Sequence, residues 1–215
     1  NKMVMLCVLG VRADGSRKML GFKMAKQEDY ESWYELLADI KRRGLSGKNL
    51  KLIISDGAEG GIKATKEIYP NVKIQLCLSH KARNVITKCP FKHKPAMAED
   101  IKEIFKARSL EEAIQVCKTF EQKWFVLAEK SVNALKHRFE DYFVYFEFPE
   151  ELWKQIRTSN VLEREFREVR RRTKVFDNCF NSIKSAEKYH NGIFTYLNHH
   201  YPLKNSQELS SQITH

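Results

Sequence analysis

The chain has 215 residues, 42% of them hydrophobic, which is enough to bury a core in one large domain or in a domain with an insertion. Lys and Arg number 38 against 27 Asp and Glu, and the resulting net charge of +11 attracts polyanions, nucleic acid first and an acidic membrane face second. The longest apolar runs, such as VMLCVLGV, fall well short of the roughly 20 residues that span a bilayer, and no charged-then-apolar signal opens the chain. The composition therefore points to a soluble intracellular protein. Cys7, Cys77, Cys89, Cys117 and Cys179 are odd in number and irregularly spaced, which argues for reduced thiols rather than a secreted disulfide framework. The chain opens at Asn1, inside an apolar run and without an initiator Met, so a piece of something longer is expected.

Two apolar runs, Met3 to Val11 and Met19 to Met24, flank an Asp-Gly turn and predict a β-hairpin. Tyr30, Trp33, Leu36, Leu37 and Ile40 then recur at helical spacing up to Gly44, with Lys41, Arg42 and Arg43 placed where a helix C-terminus favours cations. Leu50 to Ile54 reads as a buried strand, Ala58 to Tyr69 as a helix closed by Pro70, and Val72, Ile74 and Leu76 as a second strand. A strand, a helix and a strand in so few residues imply a parallel crossover. The first 80 or so residues thus predict a mixed sheet with helices packed on it. From Lys81 to Phe148 the strand signals vanish and helical spacing takes over, with FVYFEFP (Phe143 to Pro149) as a brief extended piece leading out. Helices are expected again from Val161 to about Thr173 and from Ser182 to Leu197, before a polar tail.

Three constellations bear on chemistry. Asp56 closes the strand LIIS and opens the glycine-rich DGAEGG. At the carboxyl edge of an open α/β sheet such a carboxylate can hold a hard cation; it can equally cap a helix, with Glu59 completing a capping box. In the second, Leu162, Phe166 and Val169 form the apolar stripe of a helix, while Glu163 heads a separate ridge. The cations of that helix are Arg164, Arg167, Arg170, Arg171, Arg172 and Lys174. Like charge at that density suits a phosphate backbone, and the plain alternative is an Asn160-x-x-Glu163 capping box with an exposed Glu163–Arg167 pair. The third is Cys77-x-x-His80, with Cys89-x-x-x-His93 as a comparable pair. The two could ligate zinc, although the link between them matches no standard spacing, and a core thiol beside a histidine is the plainer reading. Trp33, Trp124 and Trp153 fall on or near apolar stripes and read as packing, while an exposed Trp in the helical region could stack on an unpaired base. Asn198-His-His-Tyr201 offers a possible metal pair, and its plainer reading is solvated surface near a chain end.

Taken in order, GVRADGSRKMLGF, LIISDGAEG, Pro70, QLCLSH with RNV after it, the helical block and RTSNVLEREFREVRRRTKVF resemble the Mutator-like transposases of bacterial and archaeal insertion sequences. The resemblance implies a ribonuclease-H-like mixed sheet flanked by helices, with an all-helical insertion before the last catalytic carboxylate. It implies core residues 1–84, an insertion at 85–150, closing helices at 151–201 and a polar tail at 202–215. An Asp, Asp, Glu triad binding two magnesium or manganese ions is implied, with Asp56 as its second member, Glu163 as its last, and Cys77 and His80 beside the site. The first Asp would lie on a strand just before the hairpin, outside this chain; Asp14, at the hairpin tip, cannot replace it. The implied activity is cleavage of insertion-sequence ends and their transfer to target DNA, in the cytoplasm, at the nucleoid, by a homodimer or larger oligomer on double-stranded DNA. The rivals are a non-catalytic DNA-binding remnant, a nuclease that only hydrolyses DNA, and a zinc-stapled module.

Overall fold

The computed structural model describes residues 3–12, 14–174, 180 and 182–200. The predicted polar tail, Cys179 and Tyr201 lie outside them. Four strands and eight α-helices follow one another as β1 (Val4–Val11), β2 (Arg17–Ala25), α1 (Tyr30–Arg42), β3 (Leu52–Ser55), α2 (Glu59–Ile68), β4 (Lys73–Leu76), α3 (Leu78–Thr87), α4 (Lys94–Phe105), α5 (Leu110–Lys136), α6 (Glu150–Ile156), α7 (Asn160–Thr173) and α8 (Ile183–His200). The predicted hairpin is there, β1 antiparallel to β2, and so is the parallel pair, β3 with β4. The single mixed sheet is not. Among the described residues the strands form two separate two-stranded ladders.

By contacts the chain divides into two units. The first comprises residues 1–46, 59–68 and 162–215; the second comprises 47–58 and 69–161.

In the first unit the near-continuous apolar character of β1 has a direct cause, because both faces of the hairpin are covered. Leu6 packs with Leu36 and Ile40 of α1, joined by Val4, Val8, Leu20 and Trp33. Cys7 and Met19 pack instead with Val169 of α7 and with Ile193, Phe194 and Leu197 of α8. A bulge between Val8 and Leu9 shifts the register and puts Leu20 on the α1 face. The Asn198 amide grips β2, its Oδ1 accepting from the Met19 N–H at 2.7 Å and its Nδ2 donating to the Met19 carbonyl at 3.2 Å; this residue is a strand clamp, not solvated surface. Helix α1 is capped by Asp29, whose carboxylate accepts from the Ser32 N–H at 2.9 Å, and it stops as its sequence predicts, with Gly44 following at φ +116°. Gly60 is needed for a close approach, since a Cβ there would lie 2.6 Å from the Tyr30 backbone nitrogen.

In the second unit α3, α4 and α5 bury Val85, Met97, Ile101, Ile104, Phe120, Trp124, Val132 and Leu135. The Ser109 hydroxyl caps α5 by accepting from the Glu112 N–H at 3.1 Å, and the helix breaks at Ala128 (φ −157°, ψ 54°). FVYFEFP is not extended. Phe139–Tyr142 and Val144–Glu147 are two 3₁₀ turns, held because Tyr145, Phe146 and Trp153 pack ring on ring at 4.4–5.6 Å. Gln75 on β4, wholly buried, pins them: its amide donates to the Tyr142 carbonyl at 2.8 Å, and its carbonyl accepts from the Tyr145 N–H at 2.8 Å.

Candidate functional site

The second unit holds the first candidate carboxylate. The Cys77 N–H donates to the Ser55 carbonyl at 2.8 Å, carrying the parallel ladder one step past β4. Asp56 follows β3 directly and is exposed. Its Oδ1 accepts from the Ala58 N–H at 3.2 Å, closing a turn in which Gly57 takes φ +105°, a conformation that favours glycine. Helix α2 begins at Glu59, so Ala58 occupies the cap position and the capping-box reading of Asp56 does not hold. The Tyr142 hydroxyl lies 3.8 Å from where a Gly57 Cβ would sit. Burial chiefly raises the Tyr142 pKa, with Arg138 pulling it down and the nearby Asp141 and Asp56 carboxylates pushing it up.

Cys77 is fully buried at the start of α3. Ser159, immediately before α7, donates from its backbone N–H to the Cys77 Sγ at 3.2 Å; its hydroxyl lies 3.3 Å from the same sulfur and 3.4 Å from His80 Nδ1. The Leu78 N–H also donates to the Arg157 carbonyl at 3.0 Å. The beginning of α3 is thereby laced to the segment leading into α7, and Cys77 and His80 are joined through one hydroxyl. Sequence reasoning missed Ser159, whose only signal was its place in the polar run Arg157-Thr-Ser-Asn160. It missed Lys81 as well. That side chain is buried, donates from Nζ to the His137 carbonyl at 2.6 Å and lies 4.3 Å from the Tyr142 ring centroid. Burial, then the positive charges of Lys88 and Arg138, lower its pKa to about 8.

Glu163 belongs to the first unit, half-buried in the first turn of α7. The helix starts at Asn160, which therefore stands inside it rather than at the cap. Val169 is buried and Leu162 and Phe166 pack beside it, as their spacing required. Glu165 is buried too, facing Arg17 of β2 at 3.7 Å. Of the six cations, Arg171 pairs with Glu168 at 3.0 Å and Arg172 lies over the Tyr196 ring at 4.5 Å. Arg164, Arg167, Arg170 and Lys174 are exposed and make no ion pair among the described residues.

The described residues contain no group of three or more His, Cys, Asp or Glu able to hold a metal ion. The second cysteine–histidine pair serves packing: Cys89 is buried, its pKa raised chiefly by that burial, and His93 meets Trp124 edge-on at 5.6 Å. The tryptophans are packing residues as expected. Trp124 is buried and donates to Asp100 at 2.7 Å, Trp33 donates to Glu28 at 3.0 Å, and Trp153 donates to the Phe148 carbonyl at 2.7 Å. No helix is long and apolar enough to cross a membrane, among the described residues.

The site residues are thus a carboxylate that follows a parallel strand pair in one unit and, on α7, four exposed cations without an ion pair among the described residues. Residues 1–202 match the family described as transposase, Mutator family, and the chain belongs to that family. It is 37% identical over 174 residues to the transposase for insertion sequence element IS6120 of Mycolicibacterium smegmatis, a match covering 81% of this chain and 53% of that protein. The transposase for insertion sequence element IST2 of Acidithiobacillus ferrooxidans is 30% identical over 203 residues, covering 90% and 68%. The transposase for insertion sequence element IS256 in transposon Tn4001 of Staphylococcus aureus is 31% identical over 169 residues, covering 78% and 43%. The chain thus spans about half the length of most of these relatives.

Proposed function

We propose that this chain belongs to a DDE-type catalytic domain that cuts insertion-sequence ends and joins them to target DNA, built on a ribonuclease-H-like arrangement. The observation that carries the reading is Asp56, exposed at the carboxyl end of a parallel strand and engaged through one oxygen by a neighbouring N–H, not acting as a helix cap. Membership of a transposase family supports it. The cations left unpaired on α7 suit a phosphate backbone, and on that DNA the protein would act as a homodimer or larger oligomer.

In this reading Asp56 and Glu163 offer carboxylate oxygens to magnesium or manganese, with Cys77, His80 and Ser159 beside Asp56 as a supporting network. When bound, a pair of divalent ions supplies an activated nucleophile and stabilises the leaving oxygen of a phosphodiester. What the chain itself contributes is placement: the Gly57 turn fixes Asp56, and α7 presents Glu163 in its first turn, where the helix dipole favours a carboxylate. The rival reading is a DNA-binding remnant in which both carboxylates are structural, and the variants below separate the two.

The test uses the full-length protein with a labelled insertion-sequence end and magnesium. Asp56→Asn and Glu163→Gln should each lower cleavage and joining by roughly a hundredfold or more while DNA affinity stays within severalfold. Undiminished joining by either variant would refute the assignment. Cleavage without joining by the unaltered protein would identify a hydrolytic nuclease.

A further inference from the structure

Between α3 and α4 the chain makes a 3₁₀ turn, Phe91–His93, and Phe91 stands 88% exposed on it. An aromatic ring left almost wholly in water forgoes the apolar burial that a binding partner could supply. The turn is fixed at both ends. Cys89 and Met97 are buried on either side of it, Pro90 and Pro95 limit its backbone, and the His93 N–H donates to the Pro90 carbonyl at 3.0 Å. His93 turns inward against Trp124, while Phe91, two residues earlier, turns outward.

The surroundings are cationic. From Lys81 to Ala98 there is no Asp or Glu, while Lys81, Arg83, Lys88, Lys92 and Lys94 all fall in that span. Lys81 is buried; Lys88 and Lys92 are exposed, with the Lys88 ammonium bonded to Asn84 and Lys92 without an ion pair among the described residues. An exposed aromatic ring flanked in sequence by exposed lysines complements a ligand that is polyanionic and offers flat aromatic faces. A paired duplex hides those faces in its stack, whereas an unpaired or flipped base exposes one.

We propose that Phe91 is a stacking residue for an unpaired DNA base, with Lys88 and Lys92 holding the flanking phosphates. This rests on the DNA-handling reading above and adds to it a site on the second unit, away in sequence from α7. Because Phe91 supports no core packing, Phe91→Ala should melt within a degree or two of the unaltered chain.

The experiment measures binding of this chain to a short random-sequence duplex and to the same duplex carrying one unpaired 2-aminopurine. Phe91→Ala should bind the interrupted duplex roughly tenfold more weakly, bind the paired duplex within twofold, and lose the quenching of 2-aminopurine fluorescence that the unaltered chain and Phe91→Trp produce. Lys92→Ala should instead weaken both duplexes and flatten the salt dependence. Equal affinities of Phe91→Ala and the unaltered chain for the interrupted duplex would overturn the proposal while leaving the functional reading intact. A loss of self-association in Phe91→Ala without DNA would overturn it in favour of a contact between copies. Failure of the unaltered chain to bind either duplex would overturn both.

Discussion

The two units solve the problem of a small sheet differently. In the first, a hairpin is apolar on both faces and helices cover each one, so its stability comes from side-chain packing and from the close approach at Gly60. In the second, a shorter parallel pair carries wholly buried polar groups at its end, Gln75 and Cys77 among them, and a buried Lys81 just beyond. Polar groups placed inside cost stability unless each finds its partner. Gln75 does so fully, and Lys81 does so through a carbonyl and a ring without a carboxylate. The parallel pair beside Asp56 is thus held by buried polar groups, whereas the hairpin is held by apolar packing.

The sharpest way to break this contrast is Gln75→Ala, which strands the Tyr142 carbonyl and the Tyr145 N–H and leaves a cavity. A loss of about 4 kcal/mol in denaturant unfolding is expected; a loss under 1 kcal/mol would mean that the aromatic turns hold themselves. In the first unit the matching change is Gly60→Ala, which drives a methyl against the Tyr30 and Asp29 backbone. It should cost about 2 kcal/mol by thermal melting. Lys81 tests the polar side by pH. Below about pH 8 it is protonated in both states and the cost of its burial is fully present; between there and its ordinary 10.5 the folded protein releases the proton while the unfolded chain keeps it, so stability rises with pH. The difference in unfolding free energy between the unaltered chain and Lys81→Met should accordingly shift by on the order of 2 kcal/mol across that window.

Local signals were legible where local physics decides. Gly44 ends α1 because a left-handed stop acts within a turn or two, and the hairpin was legible because its two apolar runs flank an Asp-Gly turn. The 3₁₀ turns after α5 were misread because alternating aromatics imitate a strand, while what shapes them is Gln75, 70 residues away from Tyr145. Ser159 was invisible for the same reason, since a serine ahead of a helix looks like a cap until a sulfur 82 residues distant is seen beside it. At Asp56 the capping-box reading failed on where α2 begins, which moves by a residue or two without changing the hydrophobic pattern. Phe91 passed unnoticed because exposure is a tertiary property.

The four described cysteines, Cys7, Cys77, Cys89 and Cys117, are all buried and unbridged. Burial raises the Cys117 pKa to about 11 and raises that of Cys7 as well. A thiol-reactive dye meets such sulfurs only when the structure opens, since the reactive species is the thiolate and it must be reached. Each cysteine is thus a built-in clock for its own neighbourhood: Cys7 times the opening of the hairpin core, Cys77 and Cys117 time the region that carries Asp56, and the spacing of their labelling rates would rank which part of the protein breathes first.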